Sequence, residues 1–139
     1  MTVLTDAGLF YFADHAFGNE PAVIDAIAVG TGTAPESPDD TTLANETYRT
    51  DPSNSNITLQ ESSSDPSTYE AIITLKGGTE VPGGSAITEL GVFAGGSQDD
   101  QTGNITGPNI LVFRDVASPI TIESGHTVEL ILPIDFDAL

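Results

Sequence analysis

The sequence predicts a mainly β protein, an antiparallel β-sandwich with one N-terminal α-helix. Three observations support this fold class: a single segment has helical spacing of its apolar residues, six or seven short apolar segments follow it, and Gly or Pro lies at the junctions between them. A length of 139 residues suits one hydrophobic core. We therefore expect a single domain over residues 1–139, with the helix in 1–18 and the sandwich in 19–139.

The predicted helix covers residues 5–17. Thr5 is placed to cap its N-terminus, Asp6 lies in the first turn, where the helix dipole favours an acid, and Gly18 is placed to end it. One face of this helix is apolar and needs a surface to pack against. We expect it to pack on the sandwich through four residues: Leu9, Phe12, Ala16 and Phe17.

The later apolar segments have the length and boundaries of antiparallel strands joined by turns. Residues 40–49 are predicted to form a short helical turn, with Leu43 as its apolar contact. Pro133 cannot donate a hydrogen bond to a neighbouring strand, so the last strand is expected to lie at a sheet edge or to bulge there. Strands are predicted over residues 22–29, 57–59, 68–76, 87–94, 110–117 and 127–136.

The chain is strongly acidic, with 21 Asp and Glu against three Lys and Arg, and its net charge is −18. Because 38% of the residues are hydrophobic and the acids are interspersed among them, we expect a folded domain with an acidic surface. This composition is typical of a protein from a salt-saturated cytoplasm, where a Debye length of about 3 Å screens the self-repulsion. An acidic mesophilic protein and a protein that binds many cations are the alternatives.

Composition also excludes several classes of function. Three basic residues cannot build a surface for nucleic acid, whose phosphates require Lys and Arg. The absence of Cys removes disulfides, thiol nucleophiles and thiolate metal sites. The sequence contains no run of 18 apolar residues, so it predicts no membrane-spanning helix. The first residues lack the basic and apolar regions of a secretory signal, so no signal peptide is predicted.

No pattern in the sequence indicates an enzyme, so no catalytic residue and no cofactor is predicted. Residues 30–33 (GTGT) follow a strand but lack the Lys and the long helix of a phosphate-binding loop, which favours a turn. His15 and His126 have no companion at the spacing of a metal site or a catalytic triad. No metal site is predicted either, although loop carboxylates can hold a hard cation; the weak candidates are Asp39, Asp40, Asp99 and Asp100.

Arg49 and Arg114 stand out because the chain has so few basic residues. Since Arg binds carboxylates in a bidentate manner, we expect both to form salt bridges, either within the chain or between subunits. Anchoring of a ligand is the alternative. Three Asn-x-Thr sequons begin at Asn45, Asn56 and Asn104, and chance in a Thr- and Asn-rich chain explains them unless the protein meets a glycosylation machinery.

Three stretches, taken in order, resemble small structural proteins of tailed viruses, of the kind found in tail-fibre and baseplate gene neighbourhoods. The first is LTDAGLFYFADHAFG (4–18) and the second is AIAVGTGTAPESPDDTTLANETYR (26–49). The third joins ITELGVFAGG (87–96) to VFRDVASPITIESGHTVELILPIDF (112–136). The strong acidity departs from the family pattern, and it indicates a virus of a halophilic archaeon.

The resemblance implies a virion component made in the host cytoplasm: a tail tip, tail fibre or baseplate protein that mediates assembly and contributes to host attachment. Because fibres and tail tips commonly have threefold symmetry, the resemblance also implies a homo-oligomer, with a trimer favoured. This oligomer is expected to contact other virion proteins and a host surface. A capsid surface protein, of the decoration or turret kind, is one alternative. A cellular carbohydrate-binding β-sandwich is another, although the chain has no Trp for sugar stacking.

Overall fold

The computed structural model describes residues 2–18, 24–50, 56–65, 68–99, 101–105 and 107–135. These residues form two antiparallel sheets and one helix near the N-terminus, so the predicted fold class is confirmed. The five-stranded sheet has the order β1-β7-β6-β2-β3, and the three-stranded sheet has the order β4-β5-β8. The elements are β1 (Val3–Leu4), α1 (Asp6–Ala16), β2 (Ile24–Gly30), β3 (Glu46–Thr50), β4 (Ile57–Glu61), β5 (Thr68–Lys76), β6 (Ser85–Ala94), β7 (Ile110–Ile122) and β8 (Thr127–Asp135).

The two sheets share one hydrophobic core. Alternate residues of β5, including Ile73 and Leu75, are buried on the face that looks toward the five-stranded sheet. They join one cluster with residues of the larger sheet, such as Val92 on β6 and Val112 on β7. The result is a sandwich whose interior is filled from both layers.

Helix α1 begins and ends close to the predicted positions. The hydroxyl of Thr5 accepts a hydrogen bond of 2.9 Å from the backbone N–H of Gly8, which is the expected N-cap. Phe17 is the C-cap, and Gly18 follows it with a φ of 77°. The helix packs on β7, where Phe12 lies with its ring centroid 6.3 Å from that of Phe113.

The predicted packing face of α1 is wrong for Leu9, Ala16 and Phe17, whose side chains are exposed. A Cβ atom on Gly8 would lie 2.7 Å from the Cα of Val112, so the helix approaches β7 along the side that only a glycine leaves open. Phe12 lies on this side, whereas Leu9 is turned about 100° away from Gly8. The position of Gly8 therefore decides which face is buried.

Residues 40–49 do not form the predicted helical turn. Residues 46–50 form β3 instead, with Tyr48 opposite Val29 and Arg49 opposite Ala28 of β2. Leu43 is buried, as the apolar contact expected at this point. Pairing with an existing strand edge gives these residues backbone partners that an isolated helical turn would lack.

Some strands differ in smaller ways from the prediction. β7 continues to Ile122 because β6 starts early enough to pair with it, Ser85 lying opposite Ile122. β1 was not predicted, and its two residues pair with β7. β8 is an edge strand of the three-stranded sheet, as Pro133 indicates, and its last predicted residue, Phe136, lies outside the described residues.

Candidate functional site

All buried charged side chains in the described part of the chain belong to two networks, each centred on an arginine. Arg114 of β7 pairs with Glu89 and Asp40, and Arg49 of β3 pairs with Glu46. Both arginines therefore form ion pairs within the chain. We call these the Arg114 network and the Arg49 network.

Arg114 reaches from the sheet into the loop between β2 and β3, residues 31–45. Its Nη1 donates to Oδ2 of Asp40 at 2.7 Å and to the carbonyl of Pro35 at 3.2 Å. Its Nη2 donates to the carbonyl of Ala34 at 2.9 Å and to Oε2 of Glu89 at 3.0 Å. One guanidinium thus binds two carboxylates and two backbone carbonyls, using the planar fork that distinguishes Arg from Lys.

Glu89 of β6 holds both ends of the same loop. Its Oε1 accepts from the backbone N–H of Gly32 at 3.0 Å and of Asn45 at 2.7 Å, and its Oε2 accepts from that of Ala44 at 3.0 Å. The hydroxyl of Thr88 adds a bond of 2.7 Å to the carbonyl of Gly32. A carboxylate buried in this manner needs such donors, because burial without them is very costly.

The GTGT segment has a different role from the turn that the sequence indicates. A Cβ atom on Gly32 would lie 2.5 Å from Oε1 of Glu89, and Gly32 is not among the glycines with positive φ. The glycine is therefore required because the backbone passes close to a carboxylate, and the conformation itself would suit other residues.

Asp40 and its neighbours extend the Arg114 network to helix α1. The Oδ2 of Asp40 also accepts from the backbone N–H of Ser37 at 2.8 Å. Pro38, which lies two residues before Asp40, contacts the helix. Its carbonyl accepts a hydrogen bond of 2.8 Å from the backbone N–H of Asp6, at the start of α1. The network thus connects the five-stranded sheet, the 31–45 loop and the N-terminus of the helix.

The Arg114 network favours the ionised forms of its three charged side chains, Glu89, Asp40 and Arg114. Burial raises the pKa of Glu89, but the N–H groups of Asn45 and Ala44 and the Arg114 guanidinium outweigh it and hold this pKa below its ordinary value. The pKa of Asp40 is lowered in the same way, since the Ser37 N–H and Arg114 together outweigh burial. Hydrogen bonds to both acids keep the pKa of Arg114 raised despite its burial.

Arg49 fastens the edge strand β3 to the loop that follows β6. Its Nε and Nη2 form a bidentate pair with Glu46, at 3.1 and 2.6 Å. Its Nη1 donates to the carbonyl of Gly96 at 3.1 Å and to Oδ1 of Asn109 at 2.5 Å. The guanidinium also lies 3.8 Å from the ring centroid of Phe93, a cation–π contact.

The weak metal candidates do not come together. Asp40 is engaged by Arg114, Asp39 is exposed, and Asp99 accepts two bonds of 2.8 Å from the backbone N–H groups of Gln101 and Thr102. Asp100 lies outside the described residues. Within the described ranges no group of three or more His, Cys, Asp or Glu is placed to hold a metal ion.

The histidines and the sequon asparagines lie on different elements, and Asn45 contacts the Arg114 network through its backbone N–H. His15 is on α1 and His126 is in the turn before β8, where its backbone N–H bonds the carbonyl of Glu123. The amide of Asn45 donates to Thr31, and Asn56 bonds Tyr48, Thr50 and Thr74. Asn104 is exposed in the 101–105 segment, and the Thr106 of its sequon lies outside the described residues.

The two networks hold the five-stranded sheet and its loops together. Where the structure describes the chain, every buried side-chain nitrogen and oxygen has a hydrogen-bond partner. Among the same residues, no helix has the length and apolarity that crossing a bilayer requires.

Glu89 is the important residue that the sequence analysis missed. Its signal was an acid in the middle of an apolar strand, ITELGVFA, since a carboxylate flanked by core residues needs a buried partner. The scarcity of Arg then points to Arg114 as that partner. Comparison of the chain with protein-family models, with curated proteins and with solved structures finds no match.

Proposed function

We propose that this protein is a structural component of a virus particle, in a tail tip, fibre or baseplate, and that the virus infects a halophilic archaeon. We further propose that it is not an enzyme. The proposal starts from the resemblance of three stretches of the sequence to tail proteins, and the geometry of the two arginine networks supports it.

One observation carries the proposal: the second and third of the stretches that bear the resemblance meet in the two networks. Residues 26–49 supply the 31–45 loop, Asp40 and the whole Glu46–Arg49 pair. Residues 87–96 supply Glu89, and residues 112–136 supply Arg114. Charged residues at these positions hold the chain in shape, so the pattern is that of a structural module.

The surface supports the halophilic part of the proposal. Both arginines are buried, which leaves Lys76 as the only Lys or Arg on the exterior of a chain with 21 acidic residues. Such a surface has strong self-repulsion in dilute buffer and loses it when salt screens the charges. A particle that assembles in a salt-saturated cytoplasm provides those conditions.

Self-association is part of the same proposal. A closed homo-oligomer, with the trimer expected for fibres and tail tips, would present its loops to other virion proteins or to a host surface. The polar stretches 50–67, which includes the edge strand β4, and 97–109 are the expected contact segments. Their residues 51–55, 66–67, 100 and 106 lie outside the described residues.

A capsid surface protein of the same virus is the alternative placement. A carbohydrate-binding module is the alternative from another class, and the exposed rings of Phe10, Phe17 and Tyr69 are the feature that would serve it. Phe10 and Phe17 lie on a convex helix, which offers no groove for a sugar chain. Binding to a glycan array that Phe17→Ser and Tyr69→Ser abolish would favour this module over the virion protein.

Purified particles provide the test. Mass spectrometry and immunogold electron microscopy on virus particles from the infected host should detect the protein and place it on the tail. The matched control is an abundant host protein, which should be depleted as the particles are purified. Presence of the protein in infected cells together with its absence from purified particles would overturn the proposal.

A further inference from the structure

Helix α1 has a second apolar face, which points away from the sandwich. Leu9, Phe10 and Phe17 are 47%, 70% and 84% exposed, and Ala13 and Ala16 are exposed between them. At about 100° per residue, these five residues fall within an arc of about 120°. We call Leu9, Phe10, Ala13, Ala16 and Phe17 the outer face of α1.

The outer face carries no charge on a molecule whose net charge is −18. Asp6 falls within the same arc, but one turn before Leu9 at the N-terminal end of the helix, and Asp14 and His15 fall outside the arc. Two large exposed aromatic rings two turns apart on one helix face are unusual for a protein with so acidic a surface. A patch of this kind marks a surface for protein contact.

We propose that the outer face of α1 binds the same face of a second copy, with the two helices antiparallel and a twofold axis beside Ala13. In this register Ala13 lies opposite the same residue of the second copy. A step toward the C-terminus on one helix faces an equal step toward the N-terminus on the other. Phe10 therefore lies opposite Ala16, and Leu9 lies opposite Phe17. Each bulky ring of Phe10 thus meets a small side chain, which is the complementarity that close helix packing needs.

Charge favours a second copy on this face over contact elsewhere. Both arginines are buried in their own networks, so one copy offers almost no positive surface to the acids of another. Association is therefore least opposed between the five apolar positions of the outer face, with Asp6 at the N-terminal end of the same stripe as the nearest carboxylate. Antiparallel helices also place the N-terminus of each beside the C-terminus of the other, which the helix dipoles favour.

A parallel arrangement about a threefold axis fits the same residues less well. It would stack three Phe10 rings, then three Ala13 methyl groups, then three Phe17 rings, and the alanine layer would be underfilled. The twofold contact goes beyond the proposed virion role and does not depend on it. A threefold axis formed by another surface would combine with this twofold contact into a closed assembly.

The buried area predicts a reversible dimer. With about 200 Å² for each phenylalanine, the exposed parts of Phe10 and Phe17 contribute about 300 Å² per copy. Stable interfaces bury about 800 Å² per partner, so this contact depends on concentration. It should also strengthen in molar salt, because screening weakens the repulsion between two acidic copies.

Sedimentation velocity over a dilution series in molar KCl tests the dimer. Replacement of both exposed rings, Phe10→Ser with Phe17→Ser, should raise the dissociation constant by about tenfold or more, with an unchanged circular dichroism spectrum. Ile131→Ser is the matched control, since Ile131 is 50% exposed on β8 of the other sheet, and it should not change the constant. A wild-type protein that stays monomeric throughout, or a double variant that associates as well as wild type, would overturn the inference.

Cysteine cross-linking tests the register, which is convenient because the chain has no Cys. Under mild oxidation Ala13→Cys should form a disulfide dimer, and Phe10→Cys should cross-link with Ala16→Cys only when the two variants are mixed. Efficient dimerisation of Phe10→Cys alone would overturn the antiparallel arrangement. These results are separate from the particle test, so failure of the dimer and failure of the virion role can be distinguished.

Discussion

The Nη2 of Arg114 lies 3.0 Å from Oε2 of Glu89, and only 2% and 0% of the two side chains are exposed. Removing two such charges from water is costly, and their attraction offsets the cost only when the remaining donors and acceptors also have partners. Here three backbone N–H groups and two backbone carbonyls of the 31–45 loop supply those partners. The pair therefore determines where the loop lies.

Glu89→Gln should destabilise the protein by about 3–5 kcal/mol, because it leaves the guanidinium of Arg114 buried with only the Asp40 carboxylate to compensate it. Urea unfolding in molar KCl measures the loss. Glu46→Gln is the matched control: its carboxylate is about one-third exposed and pairs with Arg49. That change should cost about 1 kcal/mol or less. Equal losses in the two variants would contradict the role assigned to Glu89.

Acid should weaken the fold through the same two carboxylates. The folded-state pKa of Glu89 and of Asp40 is lowered from ordinary values of 4.5 and 3.8. Their stabilisation is therefore complete above those values and is lost as the pH falls through the lower folded-state pKa values. The free energy of unfolding, measured from pH 7 downward, should therefore fall as the pH drops below the ordinary values of 4.5 and 3.8. The fall should be smaller for Glu89→Gln than for wild type. Parallel curves would contradict the prediction.

Salt should stabilise the protein. The net charge is −18, and the two arginines are buried in pairs with Glu46, Asp40 and Glu89, so repulsion among the remaining surface carboxylates has almost no local compensation. Screening at a Debye length of about 3 Å removes this repulsion. Thermal melts should therefore show a Tm that rises substantially from dilute buffer to molar KCl. A flat profile over that range would contradict the halophilic interpretation.

Phe12 and Phe17 should respond very differently to truncation, although both were expected to pack. Phe12 is half-buried against Phe113, so Phe12→Ala should cost about 2 kcal/mol, less than the 3–5 kcal/mol typical of a fully buried ring. Phe17 is 84% exposed, and Phe17→Ala should stay within about 0.5 kcal/mol of wild type. Chemical denaturation at a concentration where the protein is monomeric compares the two. A larger loss for Phe17→Ala would refute the observed orientation of α1.

Local patterns were sufficient to predict the helix ends and most strands. Thr5 caps α1 as expected, and β5 (Thr68–Lys76) has the predicted bounds. The buried side of α1 could not be predicted, because both sides of this helix are apolar and periodicity does not rank them. Gly8 decides the matter through its close approach to Val112, which is a contact between distant parts of the chain.

β3 could not be predicted from its own residues, and the sequence signal for Glu89 is weak. Residues 46–50 are polar and have no strand alternation of their own, so β3 exists because β2 offers them a pairing edge. Glu89 is one of 21 acidic residues, and nothing local separates it from a surface acid except its apolar neighbours. The two scarce arginines were the residues that pointed to the networks.

Burial of the two arginines also determines which peptide bonds of the folded protein trypsin can cleave. Trypsin cuts after Lys and Arg, and of its three target residues only Lys76, at the end of β5, is exposed in the folded chain. Cleavage after Arg49 or Arg114 requires the edge strand or the central sheet to open first. The rate of cleavage after Arg49 and Arg114 therefore measures how often the sandwich opens. The rate of cleavage after Lys76 in the same sample serves as the control for trypsin activity.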